Sequence, residues 1–191
     1  MKQIFVLFFL LTVISNSNPL SDENIKVSMK LSNAPLGLII PSILKKTGLN
    51  YLISSKIKGI KSVSLNGIHW SKALDKVLEG ENLAWIRVSN VVIVCTKLEF
   101  TYFDADFLQR MQEVSKEGSP KINLSLVKVP LSLMVSAIVR KSGKKLVVTS
   151  KLRGKVSTNF KNVPWRLALG LIIRLQNFNI SESDNQLTIT S

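Results

Sequence analysis

Residues able to do acid–base or nucleophilic work are scarce in this sequence. His69 is the only histidine and Cys95 the only cysteine. A Ser-His-Asp or Cys-His set would need a second histidine or a better placed cysteine. His69 precedes Trp70 at the start of an apolar stripe of helical period, where a partly exposed cap fits better than a catalytic base. Cys95 closes the run Val91-Val92-Ile93-Val94-Cys95 and reads as a small apolar strand residue rather than a reactive thiol. Standing alone, it can form no intramolecular bridge. Asp104-Ala105-Asp106 is the nearest approach to a metal pair, but no further carboxylate clusters with it, so a solvated turn is the better reading. No glycine-rich phosphate loop occurs. Trp70 and Trp165 could stack on a base or sugar, yet each begins an apolar helical stripe, which reads as a core anchor. The sequence therefore offers no catalytic set, metal or cofactor.

The charge is more informative. The chain carries 26 Lys and Arg against 12 Asp and Glu, a net +14. A balance this basic implies an anionic partner or a well-solvated face. Between Lys121 and Ser181 there are twelve Lys and Arg and no acid. Seven of these (Arg140, Lys141, Lys144, Lys145, Lys151, Arg153 and Lys155) surround the end of one expected helix, the strand that follows and the next turn. A weaker set, Lys45, Lys46, Lys56, Lys58 and Lys61, occupies comparable positions earlier and is offset by Asp75, Glu79 and Glu81. These twelve cations are the candidate partner-binding residues, on one edge of each module. Expected partners are an acidic protein first, then anionic lipid or lipopolysaccharide, then DNA, which lysines grip in a salt-sensitive, sequence-independent way.

The elements that must carry these residues occur twice, at an offset of 95. Val27-Ser28-Met29-Lys30-Leu31 falls on Ile122-Asn123-Leu124-Ser125-Leu126, Ala34-Pro35-Leu36 on Val129-Pro130-Leu131, Gly48 on Gly143, Lys56–Gly59 on Lys151–Gly154, and Trp70, Ala73, Leu74 on Trp165, Ala168, Leu169. Such self-similarity marks duplicated structural units. Each copy reads as an alternating strand, then a proline at a helix start. A stripe follows at Leu36, Ile39, Ile40, Ile43, Leu44 or Leu131, Met134, Val135, Ile138, Val139. A glycine ends each helix. Leu49-Tyr51-Ile53 and Leu146-Val148 are short strands; Val63-Leu65 and Val156-Thr158-Phe160 complete a strand pair across the basic turn. A second helix carries Trp70, Ala73, Leu74, Val77, Leu78 or Trp165, Ala168, Leu169, Ile172, Ile173. A hairpin closes each copy at Ser89-Asn90 or Asp184-Asn185. The expected architecture is α+β: two tandem βαββαββ modules, 25–95 and 121–191, each with two helices on a small mixed sheet. Residues 96–120 are a connector with a short helix around Phe107, Leu108, Met111 and Val114.

The first residues read differently. Lys2 followed by the apolar run Ile4 to Ile14, interrupted only by Thr12, is the layout of a secretory signal peptide over 1–17. Ser15 and Ser17 set a cut before Asn18. The apolar run is about half of the roughly 20 residues a membrane span requires. The mature chain should be exported and soluble.

The pattern Ala34-Pro35-Leu36, Thr47-Gly48-Leu49-Asn50, Lys58-Gly59, Ala73-Leu74-Asp75-Lys76-Val77-Leu78 resembles the short N-terminal domain shared by secretins and TonB-dependent receptors. The second copy is similar, and its Lys161-Asn162-Val163-Pro164-Trp165-Arg166-Leu167-Ala168-Leu169 looks most like that domain in type IV pilus secretins. The resemblance implies a periplasmic location with association to the outer membrane. It further implies ring assembly as a homo-oligomer, or docking of secretion or pilus envelope proteins. A role in signalling to an anti-sigma regulator is the implication of the TonB branch. No pore-forming β-domain follows Ser191, so the chain is not expected to form a channel itself. His69 stands where the second copy has Pro164, which departs from the pattern.

Overall fold

The computed structural model describes residues 24–191; the expected signal peptide, with its cut between Ser17 and Asn18, lies outside the described residues. The first half runs β1 (Lys26–Pro35), α1 (Leu36–Thr47), β2 (Asn50–Ser54), β3 (Ile60–His69), α2 (Trp70–Leu78), β4 (Leu83–Val88) and β5 (Val91–Thr96). Two short helices follow, α3 (Lys97–Phe100) and α4 (Ala105–Val114). The second half repeats the order: β6 (Lys121–Pro130), α5 (Leu131–Ser142), β7 (Lys145–Val148), β8 (Lys155–Pro164), α6 (Trp165–Leu175), β9 (Asn179–Ser183) and β10 (Gln186–Thr190). The chain is an α+β fold.

The local chemistry explains the repetition. Pro35 and Pro130 precede α1 and α5 in extended backbone, and the first helical N–H of each, which a helix cannot satisfy internally, donates instead to a glycine carbonyl: Leu36 N to Gly59 O and Leu131 N to Gly154 O, both 3.0 Å. Trp70 N and Trp165 N are likewise bound at 3.0 Å by Ile25 O and Pro120 O. Both α1 and α5 end on left-handed glycines, Gly48 (φ 70) and Gly143 (φ 72), a conformation that costs residues with a Cβ. Even the strand irregularities recur. Asn33 and Lys128 both have positive φ, and their N–H groups donate to Ser62 Oγ and Ser157 Oγ at 3.0 and 2.9 Å.

The strands do not pair as the sequence implies. β2 does not join β3 across the basic turn; β3 pairs antiparallel with β1, and β2 pairs parallel with β5. The same holds for β8 with β6 and β7 with β10. The hairpins β4–β5 and β9–β10 do form. Each helix pair thus lies between a two-stranded and a three-stranded sheet. The stripe residues Leu36, Ile39, Ile40, Ile43 and Leu44 are wholly buried there, each contributing about 1.5–3 kcal/mol over an exposed position.

The halves are joined through one of these sheets. β2 pairs antiparallel with β8, Leu52 opposite Thr158, making a five-stranded sheet in the order β4-β5-β2-β8-β6. Side chains alternate across a strand, so Tyr51, Ile53, Val92 and Val94 belong to the first core while Leu52, Val91, Ile93 and Cys95 belong to the second. That is why Val91–Cys95 is an unbroken apolar run: β5 has a core on both faces. The stretch after β5 is likewise more than a tether. Phe103 and Phe107 are buried in the second core. Met111 packs so closely on α6 that a Cβ on Gly170 would lie 2.7 Å from its sulfur.

The two equivalent helices differ accordingly. On α6, Leu167, Gly170 and Leu171 are buried; the positions 95 residues earlier on α2 are Lys72, Asp75 and Lys76, all exposed. Leu171→Lys should therefore leave an uncompensated buried charge and cost roughly 3–5 kcal/mol, while Lys76→Leu should change stability by about 0.5 kcal/mol or less. Because Leu52 serves the second core from a first-half strand, Leu52→Ala should cost about 2–5 kcal/mol. Urea denaturation followed by tryptophan fluorescence and by far-ultraviolet circular dichroism should give one coincident transition; two separated transitions would contradict the shared sheet.

Candidate partner-binding edge

The twelve candidate cations divide by what their ammonium or guanidinium groups touch. Four are internal fasteners. Lys46 Nζ donates to Ser28 O at 2.9 Å. Lys61 Nζ closes the end of α2, donating to Val77 O at 3.0 Å and Glu79 O at 2.6 Å, where unsatisfied carbonyls and the helix dipole favour a cation. Lys56 pairs with the wholly buried Glu99 at 3.2 Å. Lys144 reaches Glu182 at 3.0 Å and donates to Ser183 O and Asp184 O at 3.1 and 2.8 Å.

The other eight (Arg140, Lys141, Lys145, Lys151, Arg153, Lys155, Lys45 and Lys58) are exposed. Their charged groups make no ion pair or hydrogen bond among the described residues. Six belong to the second half, on the end of α5, at the start of β7, on the turn after it and at the start of β8. β7 is one of the two outer strands of the sheet β7-β10-β9. Its counterpart in the first half, β2, is closed by β8. The cations thus flank an open strand edge in the second half and a filled one in the first.

Glu182 anchors the neighbouring surface. Arg166 grips it with two bonds, Nη2 to Oε1 at 2.6 Å and Nε to Oε2 at 2.9 Å, a matched fork-to-carboxylate geometry. The Arg166 hydrogen bonds first, with Lys144 adding to them, hold the Glu182 carboxyl below the usual glutamate value. The same guanidinium lies 5.0 Å from the centroid of the Trp165 ring, a cation–π distance.

The remaining sequence candidates have definite places. Trp70 and Trp165 are each 3% exposed. Trp70 packs at 5.5 Å against Trp85. His69 caps α2, its Nδ1 2.8 Å from Ser71 Oγ and accepting from Ser71 N at 3.4 Å. Its backbone (φ −56, ψ 140) nearly repeats that of Pro164 (φ −54, ψ 130), so a side-chain cap takes over from a ring-fixed φ. Asp104 caps α4, accepting from Phe107 N at 2.8 Å, and pairs with Arg174. The Phe107 N–H and then Arg174 hold its carboxyl below the ordinary range. Among the described residues no three His, Cys, Asp or Glu side chains gather to hold a metal, and no helix is long and apolar enough to cross a membrane.

Glu99 escaped the sequence reading. Its carboxylate accepts from Ser54 Oγ at 2.9 Å and from Thr96 N and Thr96 Oγ1 at 3.0 Å, tying β2 to the start of α3. The signal was present as Thr96-Lys97-Leu98-Glu99, the spacing of a capping box.

No family model matches the chain. Over 104 residues, 54% of its length, it is 26% identical to the type IV pilus biogenesis and competence protein PilQ of Neisseria meningitidis serogroup A. A shorter match, 27% over 77 residues, is to the protein of the same name from Neisseria gonorrhoeae. The matched stretches amount to 14% and 11% of those relatives, so the chain spans a small part of their length. Among solved structures, the V. cholerae type IV competence pilus secretin PilQ aligns over 75% of this chain and 36% of its own, with 16% identity and a TM-score of 0.37. The sequence homology relates the chain to the type IV pilus secretins.

Cys95 provides a pH test. Burial, followed by the nearby Glu99 charge, pushes its thiol up from 9.0 to about 12. The folded value lies above the unfolded one, so the stability tied to this proton is intact below about pH 9 and is lost as pH climbs towards 12. Stability measured by denaturant between about pH 8 and about pH 11 should fall less steeply in Cys95→Ala than in the native chain. The native thiol should resist a thiol reagent at neutral pH and react fully once unfolded. Equal reaction rates in both states would contradict the burial.

Proposed function

We propose that this chain is a non-enzymatic envelope component that docks onto a secretin-type machine, a type IV pilus assembly above all. On this reading it is built of two tandem modules of the secretin and TonB short N-terminal kind, residues 25–95 and 121–191, with 96–120 between them. After removal of residues 1–17 it works in the periplasm, in association with the outer membrane. The observation that carries the reading is the sequence homology to PilQ over half the chain. The side chains agree with it. The single thiol is buried, the single histidine caps a helix, and the surface offers a basic strand edge with no partner within the described chain, which suits recognition better than chemistry.

A second reading, that the basic edge grips an anionic polymer such as DNA or lipopolysaccharide, is favoured by the exposed cations that fasten nothing internally. Lys144 does not belong to that set, because its ammonium is spent on Glu182 and two carbonyls. Crosslinking in the periplasm followed by identification of the captured molecules separates the readings. Secretin or pilus-platform subunits are expected; nucleic acid or glycolipid would support the second reading, and an anti-sigma protein the TonB-like one. Should the second reading hold, binding of a DNA duplex would weaken by more than tenfold from about 50 to about 200 mM salt, and Lys145→Glu/Lys151→Glu/Arg153→Glu would abolish it. A response flat in salt would end it.

A further inference from the structure

We infer that the open edge of β7 is a docking site for an extended acidic segment of a partner protein, which adds to the sheet as an antiparallel strand. The precedent is in the chain itself. The equivalent edge, β2, takes β8 in this way, with Tyr51, Leu52, Ile53 and Ser54 opposite Asn159, Thr158, Ser157 and Val156. At the 95-residue offset, the β7 residues Leu146, Val147 and Val148 have no strand on their outer side. An outer strand leaves a row of backbone N–H and C=O groups unpaired, and such a row accepts an extended peptide with main-chain bonds supplying the affinity.

Two differences from β2 define the occupant. On the outward face of the first half's sheet, Leu52, Val91 and Ile93 are apolar because a helical layer covers them; the matching positions in the second half are Val147, Gln186 and Thr188. Two of these three are polar, and a face of this kind suits a lone strand that brings no helices with it. The second difference is charge. Lys145 begins the strand, and Lys151 and Arg153 follow it, exposed and with no partner among the described residues, whereas the comparable Lys56 is held by Glu99. Complementarity to three such cations selects an acidic segment and rejects a basic one. Val148, 38% exposed, supplies an apolar contact at the end of the strand.

This inference rests on the docking reading and names its chemistry, and the test keeps the two apart. The probe is a synthetic decapeptide alternating valine or threonine with glutamate, compared with a counterpart carrying lysine at each glutamate. Backbone amide hydrogen exchange is followed in the full chain. The acidic peptide should slow exchange at the Leu146 and Val148 amides, which alternate with the amides of Lys145 and Thr149 bonded on the β10 side, and leave the other outer strands unchanged; the lysine peptide should not. Lys151→Glu/Arg153→Glu should weaken the acidic peptide about tenfold without altering the denaturation midpoint. Unchanged exchange at Leu146 and Val148, or equal protection by both peptides, would overturn the proposal and leave the lysines as guards against self-pairing. Periplasmic crosslinks to pilus-machine subunits that survive the double variant would likewise overturn it, while sparing the docking reading. Peptide protection without any such crosslinks would uphold the edge and remove that reading.

Discussion

The architecture depends on the antiparallel pairing of β2 with β8. That ladder joins two self-similar α+β halves through one five-stranded sheet with a core on each face. It also assigns the faces: what would be the solvent side of the first half's sheet becomes the roof of the second core. The apolar character of Leu52, Val91, Ile93 and Cys95 and the burial of the thiol follow from that one contact. Glu99 and Lys56 stand at its margin, where a buried carboxylate is tolerated because Ser54, Thr96 and a lysine satisfy it.

Repetition in sequence does not carry over into equivalence of role. Every basic position in one half has a counterpart region in the other, yet Lys61 and Lys144 each close an internal carbonyl cluster while Lys151 and Arg153 reach out to solvent. The distinction is set by acceptors far away in sequence, such as Ser183 O for Lys144. Candidate cations read from the chain alone are therefore a superset of those able to meet a partner.

The helices were legible because a 3.6-residue apolar period has few alternative explanations, and because proline and glycine bracket α1 and α5. The strands were legible as strands but not in their partners, since alternation fixes a face and says nothing of which neighbour lies alongside. One clue to the joint was on the page: Leu167, Leu169, Leu171 and Ile173 make α6 apolar nearly all round, the mark of a helix covered on every side, whereas α2 alternates its stripe with Lys72, Asp75 and Lys76. The connector's helix was legible from Phe107, Leu108, Met111 and Val114. Its service as a second-core wall was not, because the surface it covers is built by residues on both sides of it.

The shared sheet also orders the chain's biosynthesis. Synthesis runs from the N-terminus, so the first half emerges with Val91, Ile93 and Leu52 uncovered until the chain that forms α4 to α6 has followed. During that interval an oily ribbon lies open to other nascent chains, the circumstance in which intermediates aggregate. The first half is thus incomplete as a folding unit, and the second half serves it as a built-in lid.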